Sequence, residues 1–265
     1  MAKKENTGMD YLVTLPRRVV TVYIPLVVFL IVLLFPFYWM VITTLKPNRE
    51  LYDLQTFNPF WIGSPTLDHI KKLLFQTHFP DWFVTTMIVS VASTFLSLFA
   101  SVTGAYAIQR LRFRGADMIG ASIFLAYLVP PSILFIPLAT MVFDFGLFDT
   151  KWALILTYPT FLIPFATWLL MGYFKTIPYE LEECALIDGA SRLQILVKIV
   201  LPLAVPGLIS AGIFAFTLSW NEFIYALTFI SSTSNKTIPV GVLTELVEGD
   251  VYHWGSLMAG ALLGS

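Results

Sequence analysis

Residues 82–108, WFVTTMIVSVASTFLSLFASVTGAYAI, run without a single Asp, Glu, Lys or Arg. A bilayer's hydrocarbon core requires roughly 20 consecutive apolar residues per helix, because lipid offers backbone groups no hydrogen-bond partner. Working outward, residues 21–45, 118–143, 152–174 and 201–221 satisfy the same requirement. Five such stretches predict an all-α, multi-pass membrane protein. In the third, Pro130, Pro131 and Pro137 are expected to break the helix. The freed carbonyls must then be satisfied by neighbours or water, as in the wall of a gated pathway.

Composition agrees. The chain of 265 residues is 57% hydrophobic and 12% charged, with a mean hydropathy of +0.77, far from the balance of a soluble domain. A net charge of -1 leaves no basic face to neutralise phosphates, which excludes nucleic acid as a partner. Cys184 is the only cysteine, so an internal disulfide and a thiolate metal cluster are both excluded. The polar segment 1–19 precedes a first apolar run that is too long, and lacks the small-residue cleavage site, to be a removable signal peptide.

Basic residues orient the chain. Counted by alternate loops, Lys and Arg number ten (Lys3, Lys4, Arg17, Arg18, Arg110, Arg112, Arg114, Lys175, Arg192, Lys198) against six (Lys46, Arg49, Lys71, Lys72, Lys151, Lys236). The richer set is cytoplasmic by the positive-inside bias, which puts the N-terminus inside and loops 46–81 and 231–254 outside. Trp61, Trp82, Trp152 and Trp254 fit anchors at the outer interface. Past Trp254 the chain reads as the beginning of a further apolar helix too short to cross, either a sixth span truncated at the C-terminus, the favoured reading, or a segment that only dips into the membrane.

Between the fourth and fifth spans lies one strongly polar insert, residues 175–198. Pro178 suits a first helical turn, and Glu180, Glu182 and Glu183 complement the positive end of the helix dipole. Leu181, Cys184 and Ala185 fall at i, i+3 and i+4 and predict a narrow apolar face. Gly189 stops the helix as a left-handed cap. A second amphipathic stretch through Leu193, Leu196, Val197 and Val200 reaches Leu201 and Pro202, where the fifth span is expected to begin. A short helix, a glycine corner and a second helix beneath the membrane suit a partner's groove.

The run Glu183-Cys184-Ala185, Asp188-Gly189-Ala190, Ile199, Leu201-Pro202 is similar to the E-A-A, D-G-A, I-x-L-P signature of permease subunits in binding-protein-dependent ABC importers. Cys184 stands where the family has alanine, a small-for-small change. Ala105-Tyr106-Ala107 with Arg110, Phe113 and Gly115, then Gly146-Leu147 with Asp149-Thr150, then Trp220-Asn221-Glu222-Phe223 resemble the carbohydrate-uptake, maltose- or glycerol-phosphate-like branch. The resemblance implies a single type I permease domain over residues 1–265, with six spans, in a bacterial inner membrane. It implies a coupling segment at 175–200, carried by Glu180, Glu183, Cys184, Ala185, Asp188, Gly189, Ala190, Leu201 and Pro202, which docks on two cytoplasmic ATPase subunits. A second, different permease subunit and an extracytoplasmic solute-binding protein are implied as partners. The latter would meet loop 231–254 at Gly241, Thr244 and Glu245, although a plain connector is the alternative there. Pro239, Gly241 and Gly249 are expected to form turns.

No catalytic, cofactor or metal site is expected. His69, His78 and His253 lack the i, i+4 spacing of a zinc protease, residues 115–122 have glycines but no lysine for a nucleotide loop, and Asn235-Lys236-Thr237 is a three-residue match without a role. An ion-coupled secondary transporter, the rival class, would need ionisable groups at midplane and internal repeats. Only Glu222 qualifies, and no repeat is visible. Glu222 with Trp220 and Asn221 either lines a route for a hydroxylated solute or ends a solvated outer helix. Tyr106 and Gln109 carry the same choice between pathway and packing.

Overall fold

The computed structural model describes residues 15–53, 58, 60–111, 113–248 and 251–265. The N-terminal segment as far as residue 14, including Lys3 and Lys4, lies outside the described residues, as do Arg112 and, in loop 231–254, Gly249 and Asp250. In chain order the helices are α1 Leu15–Leu45, α2 Asn48–Tyr52, α3 Asp68–Gln76, α4 Phe79–Arg110, α5 Ala116–Tyr127, α6 Pro131–Asp144, α7 Lys151–Phe174, α8 Glu180–Ile187, α9 Arg192–Leu203, α10 Val205–Trp220, α11 Ile224–Phe229, α12 Ile238–Glu245 and α13 Trp254–Gly264. The fold is helical as expected. Among the described residues the one strand pairing is a two-residue antiparallel ladder, β1 Val247–Glu248 with β2 Val251–Tyr252.

The chain divides into two compact units, residues 1–77 with 246–265 and residues 78–245. In the first, α1 has 31 residues, about 46 Å at 1.5 Å per residue, which exceeds the ~30 Å hydrocarbon core. It begins ahead of the expected residue 21, with a π-turn at Val19–Tyr23. Its apolar side chains from Ile24 to Phe37 are largely exposed, and only Ile42, Thr43 and Thr44 are buried, the pattern of a helix solvated by lipid. After α1, Glu50 ties two points of the chain together: its carboxylate accepts from the Gly63 N–H at 3.0 Å and from the Ser64 N–H and hydroxyl, each at 2.9 Å. Those bonds, the Gly63 N–H foremost, hold this carboxyl below its ordinary pKa. α13 packs against α1 and α3. There His69 lies over Gly255, where a Cβ would come within 2.4 Å of the ring.

In the second unit α4 packs against α7 and α10. Its buried face carries Thr86, Ser90, Ser93, Ser97 and Ser101 at three- and four-residue spacing, small side chains that let helix backbones approach closely in a membrane. Ser93 and Ser219 join α4 to α10 through their hydroxyls at 3.0 Å. One core cluster gathers Tyr158, Tyr225, Phe229 and Leu154; the other gathers Phe174, Ile177, Ile195 and Val200.

Two spans are bent. The third breaks at Pro130–Pro131 as expected, into α5 and α6 at 94°, whereas Pro137, also expected to break it, lies inside α6 without ending it. The fifth also bends, by 79° between α9 and α10. Leu201 and Pro202, expected to open the span, instead close the amphipathic helix. Pro206 supplies the reason: it has no N–H to continue the ladder, and its ring crowds the carbonyl of residue 202. The fourth span follows expectation almost residue for residue. Pro239 and Gly241, expected as turns, lie inside α12.

Candidate coupling site

The 175–200 insert folds as a helix, a corner and a helix. α8 ends in a Schellman cap: the Ala190 N–H donates to the Ala185 carbonyl at 2.9 Å and the Gly189 N–H to that of Leu186 at 3.0 Å. Gly189 sits at φ 81°, where a side chain is strained and glycine is not. α9 begins with a capping box. The Gln194 N–H donates to the Ser191 hydroxyl at 3.3 Å and the Ser191 N–H to the Gln194 side-chain carbonyl at 2.8 Å.

α8 turns Glu182 and Ala185 inward. The predicted narrow apolar face is therefore split, with Leu181 and Cys184 exposed and Ala185 buried. The physical reason is Arg110. Its Nε lies 3.1 Å from Glu182 Oε1, with both side chains sequestered from solvent. The same guanidinium donates through Nη2 to the carbonyls of Phe174 at 2.5 Å, the last residue of α7, and of Ile177 at 2.7 Å, in the turn that follows it. Tyr106 donates its hydroxyl to Glu182 Oε2 at 3.2 Å. The Tyr179 ring lies 5.8 Å from the Arg110 guanidinium carbon. Arg192 at the start of α9 interacts with both tyrosines, and the Tyr179 hydroxyl above all holds its pKa high. A charged pair taken out of water is tolerated because both partners are paired and hydrogen-bonded.

Sequence reading missed the pairing of Glu182 with Arg110. The available signal was the register that puts Glu182 on the face of Ala185, together with an arginine closing a long apolar helix. Of the expected coupling residues, Glu180, Glu183, Cys184, Asp188, Gly189 and Pro202 are exposed, Ala190 and Leu201 half-buried, and Ala185 buried. Ile187, exposed at 86%, and Leu181, at 43%, add apolar surface to the outward face.

The residues read as a possible solute route do not form one group. Trp220 packs edge-on against Phe83 at 5.8 Å between ring centroids, near the start of α4, whereas Tyr106 lies near its other end. Twenty-three residues of helix separate Phe83 from Tyr106, about 34 Å. Tyr106 thus belongs to the Glu182 cluster. The exposed Asn221 donates its amide to the Thr217 carbonyl at 2.9 Å. The half-buried Glu222 accepts from the N–H groups of Tyr225 at 2.9 Å and Ala226 at 3.1 Å, capping α11. In loop 231–254, Gly241 is buried beneath Trp82, where a Cβ would meet the indole at 2.3 Å. Thr244 is exposed, and the half-buried Glu245 pairs with Lys236.

A helical membrane fold with a capped polar helix pair at one end of its spans defines a class, and comparison with known proteins names it. Residues 94–263 match the family described as binding-protein-dependent transport system inner membrane component. The chain belongs to that family: it is a multi-pass inner-membrane permease subunit of an ABC transporter, not an enzyme, and the ion-coupled alternative finds no support. It is 41% identical to the inner membrane ABC transporter permease protein YcjP of Escherichia coli K12, across 91% of this chain and 86% of that protein. It is 33% identical to the diacetylchitobiose uptake system permease protein DasC of Streptomyces coelicolor, across 89% and 85%. With the trehalose/maltose transport system permease protein MalG of Thermococcus litoralis it shares 32% identity, across 88% and 83%. The fold matches a chain from the crystal structure of a bacterial ABC transporter involved in import of the acidic polysaccharide alginate. That match has a TM-score of 0.79 at 22% identity and covers 95% of this chain and 92% of that one.

Proposed function

We propose that this subunit forms half of the translocation pathway for a sugar or related polyol. An extracytoplasmic binding protein delivers the solute, and two cytoplasmic ATPase subunits drive the cycle. A second, non-identical permease supplies the other half. In this reading residues 1–265 are one permease domain of six spans, α13 contributing to the sixth, with the N-terminus in the cytoplasm. The sugar assignment leans on the diacetylchitobiose and trehalose/maltose permeases among its relatives.

The observation that carries the coupling role is the outward face of α8. Leu181, Glu183, Cys184, Ile187 and Asp188 stand exposed on a helix fixed from behind by the buried Glu182–Arg110 pair. An exposed apolar and acidic face on a rigid helix is what a groove in a partner recognises. At the far end of α4, Thr244 and Glu245 face the binding protein, and Trp220 with Asn221 borders the solute route.

Cys184, exposed on α8, tests this directly. A heterobifunctional cross-linker attached to it in membranes containing the assembled transporter should capture an ATPase subunit. Capture of the binding protein from Cys184 would invert the topology and overturn the reading.

A further inference from the structure

Polar and ring contacts converge on Arg110, Tyr106 and Glu182 behind the docking helix, and these three do not belong to the docking surface. Arg110 closes α4, grips the carbonyl of the last residue of α7 and one in the turn just after it, and pairs with Glu182 of α8. Tyr106, one turn back on α4, holds the other Glu182 oxygen. Tyr179 lies against the Arg110 guanidinium, and Arg192 brings in α9 through Tyr179 and Tyr106. Arg110 is 6% exposed, Tyr106 4% and Glu182 0%.

Stability alone is a weak reason to bury such a pair, since well-packed apolar residues of similar volume do as well or better. Direction is a stronger one. The guanidinium is planar; it hydrogen-bonds two carbonyls, at the last residue of α7 and in the turn after it, while its Nε edge lies 3.1 Å from the Glu182 carboxylate, so a shift of α8 pulls on the ends of α4 and α7 together. Packed cores and ion-pair networks also switch between discrete arrangements rather than deforming smoothly, which suits a joint that transmits a stroke.

We propose that Arg110 and Glu182 are positioning residues for energy coupling: the clamp locks the docking helix to the ends of α4 and α7, so that movement imposed on α8 by an ATPase subunit is delivered to the spans. This rests on the docking role assigned to α8, and goes beyond it by naming the joint through which the force passes.

The test uses the fully assembled transporter, reconstituted with its ATPase subunits and binding protein, and reads solute transported per ATP hydrolysed. The volume-preserving pair Arg110→Met/Glu182→Leu keeps the site filled but removes every polar tie. Arg110→Lys keeps the charge but loses the planar fork. In each, the ATPase subunits should be retained at the wild-type level while transport per ATP falls at least tenfold, with hydrolysis continuing in the absence of solute. A merely structural pair would behave otherwise: the apolar double variant would restore both assembly and coupling. A ratio within twofold of wild type in either variant overturns the proposal. Loss of the assembled complex in both also overturns it, by making the clamp a condition of folding. Leu181→Glu on the outward face separates the two ideas, because failure of the docking role would leave ATPase retention unchanged in that variant, whatever the clamp does.

Discussion

Glu222 shows how a single carboxylate can be read two ways until its partners are known. Its two oxygens cap α11 by accepting backbone N–H bonds from Tyr225 and Ala226, which a helix N-terminus rewards with its dipole. Glu222→Gln keeps one acceptor and loses the charge, so a loss of about 1–2 kcal/mol in local stability is expected, seen as faster amide exchange in residues 224–229. Unchanged exchange would remove the cap from the account. Gly189 offers a cleaner case. A Cβ there meets no atom within 4 Å, so Gly189→Ala carries only the backbone penalty of its left-handed φ, about 1–2 kcal/mol. Gly189→Pro adds a second loss, because the N–H that donates to Leu186 disappears. Measured by ATPase-subunit retention on the purified transporter, alanine should weaken docking mildly and proline severely; equal retention in both would mean the corner does not shape the docking face. Legibility divides at this scale by range. Gly189 announced itself from its neighbours alone, whereas Glu182 looked like one more first-turn acid, because Arg110 lies far back along the chain and burial of a charge depends on a partner that local pattern does not reveal.

At the scale of elements, what could be read were lengths and breakers, and what could not were angles. Apolar runs fixed α4 and α7 almost to their ends. The Pro130–Pro131 break was visible, but not the 94° turn it makes; nor was the 79° turn before α10, because bend angles are set by the helices packed on either side. Turns were the poorest reading: Pro239 and Gly241 look like punctuation but lie inside α12, where the lack of a Cβ lets Trp82 lie flat. One loop contact yields a pH prediction. Asp149, at φ 60°, accepts from the Ser231 N–H at 2.9 Å and from the N–H and hydroxyl of Ser232, and the Asn235 amide donates to its carbonyl at 3.1 Å. Burial pushes this carboxyl upward, but the three donors to it outweigh that and hold its pKa below the ordinary carboxylate value. A depressed folded value means that the contribution is complete above the ordinary aspartate pKa of about 3.9 and is lost as pH falls through the lower folded value. Protease nicking within residues 230–235 should therefore stay low at neutral pH and rise below about pH 4. Asp149→Asn should show the elevated nicking already at neutral pH; a variant as resistant as wild type would mean that the Asp149 carboxylate does not hold this loop.

Across the whole molecule, α4 is the ruler. Near its start the Trp82 indole N–H donates to the Thr233 carbonyl at 2.7 Å, and the Thr86 hydroxyl accepts from the Ile238 N–H at 2.8 Å, which ties the 231–245 segment to that end. At its other end Arg110 holds α7 and α8. Twenty-eight residues separate Trp82 from Arg110, about 42 Å of helix against a hydrocarbon core of about 30 Å. The two segments therefore have to emerge on opposite faces of a bilayer that α4 crosses without a large tilt. The proposed orientation puts the α8 end in the cytoplasm, and the cysteine count makes this measurable, because Cys184 is the single thiol of residues 1–265. In intact cells a membrane-impermeant maleimide should leave Cys184 unlabelled until the membrane is opened. A Cys184→Ala/Thr244→Cys variant should be labelled from outside without opening. Position 244 suits the experiment because Thr244 is exposed, while a cysteine at Gly241 would be driven into the Trp82 indole. Labelling of both positions from the same side would break the opposed placement of docking helix and outer segment, and with it the route by which a solute received on one face is coupled to hydrolysis at the other.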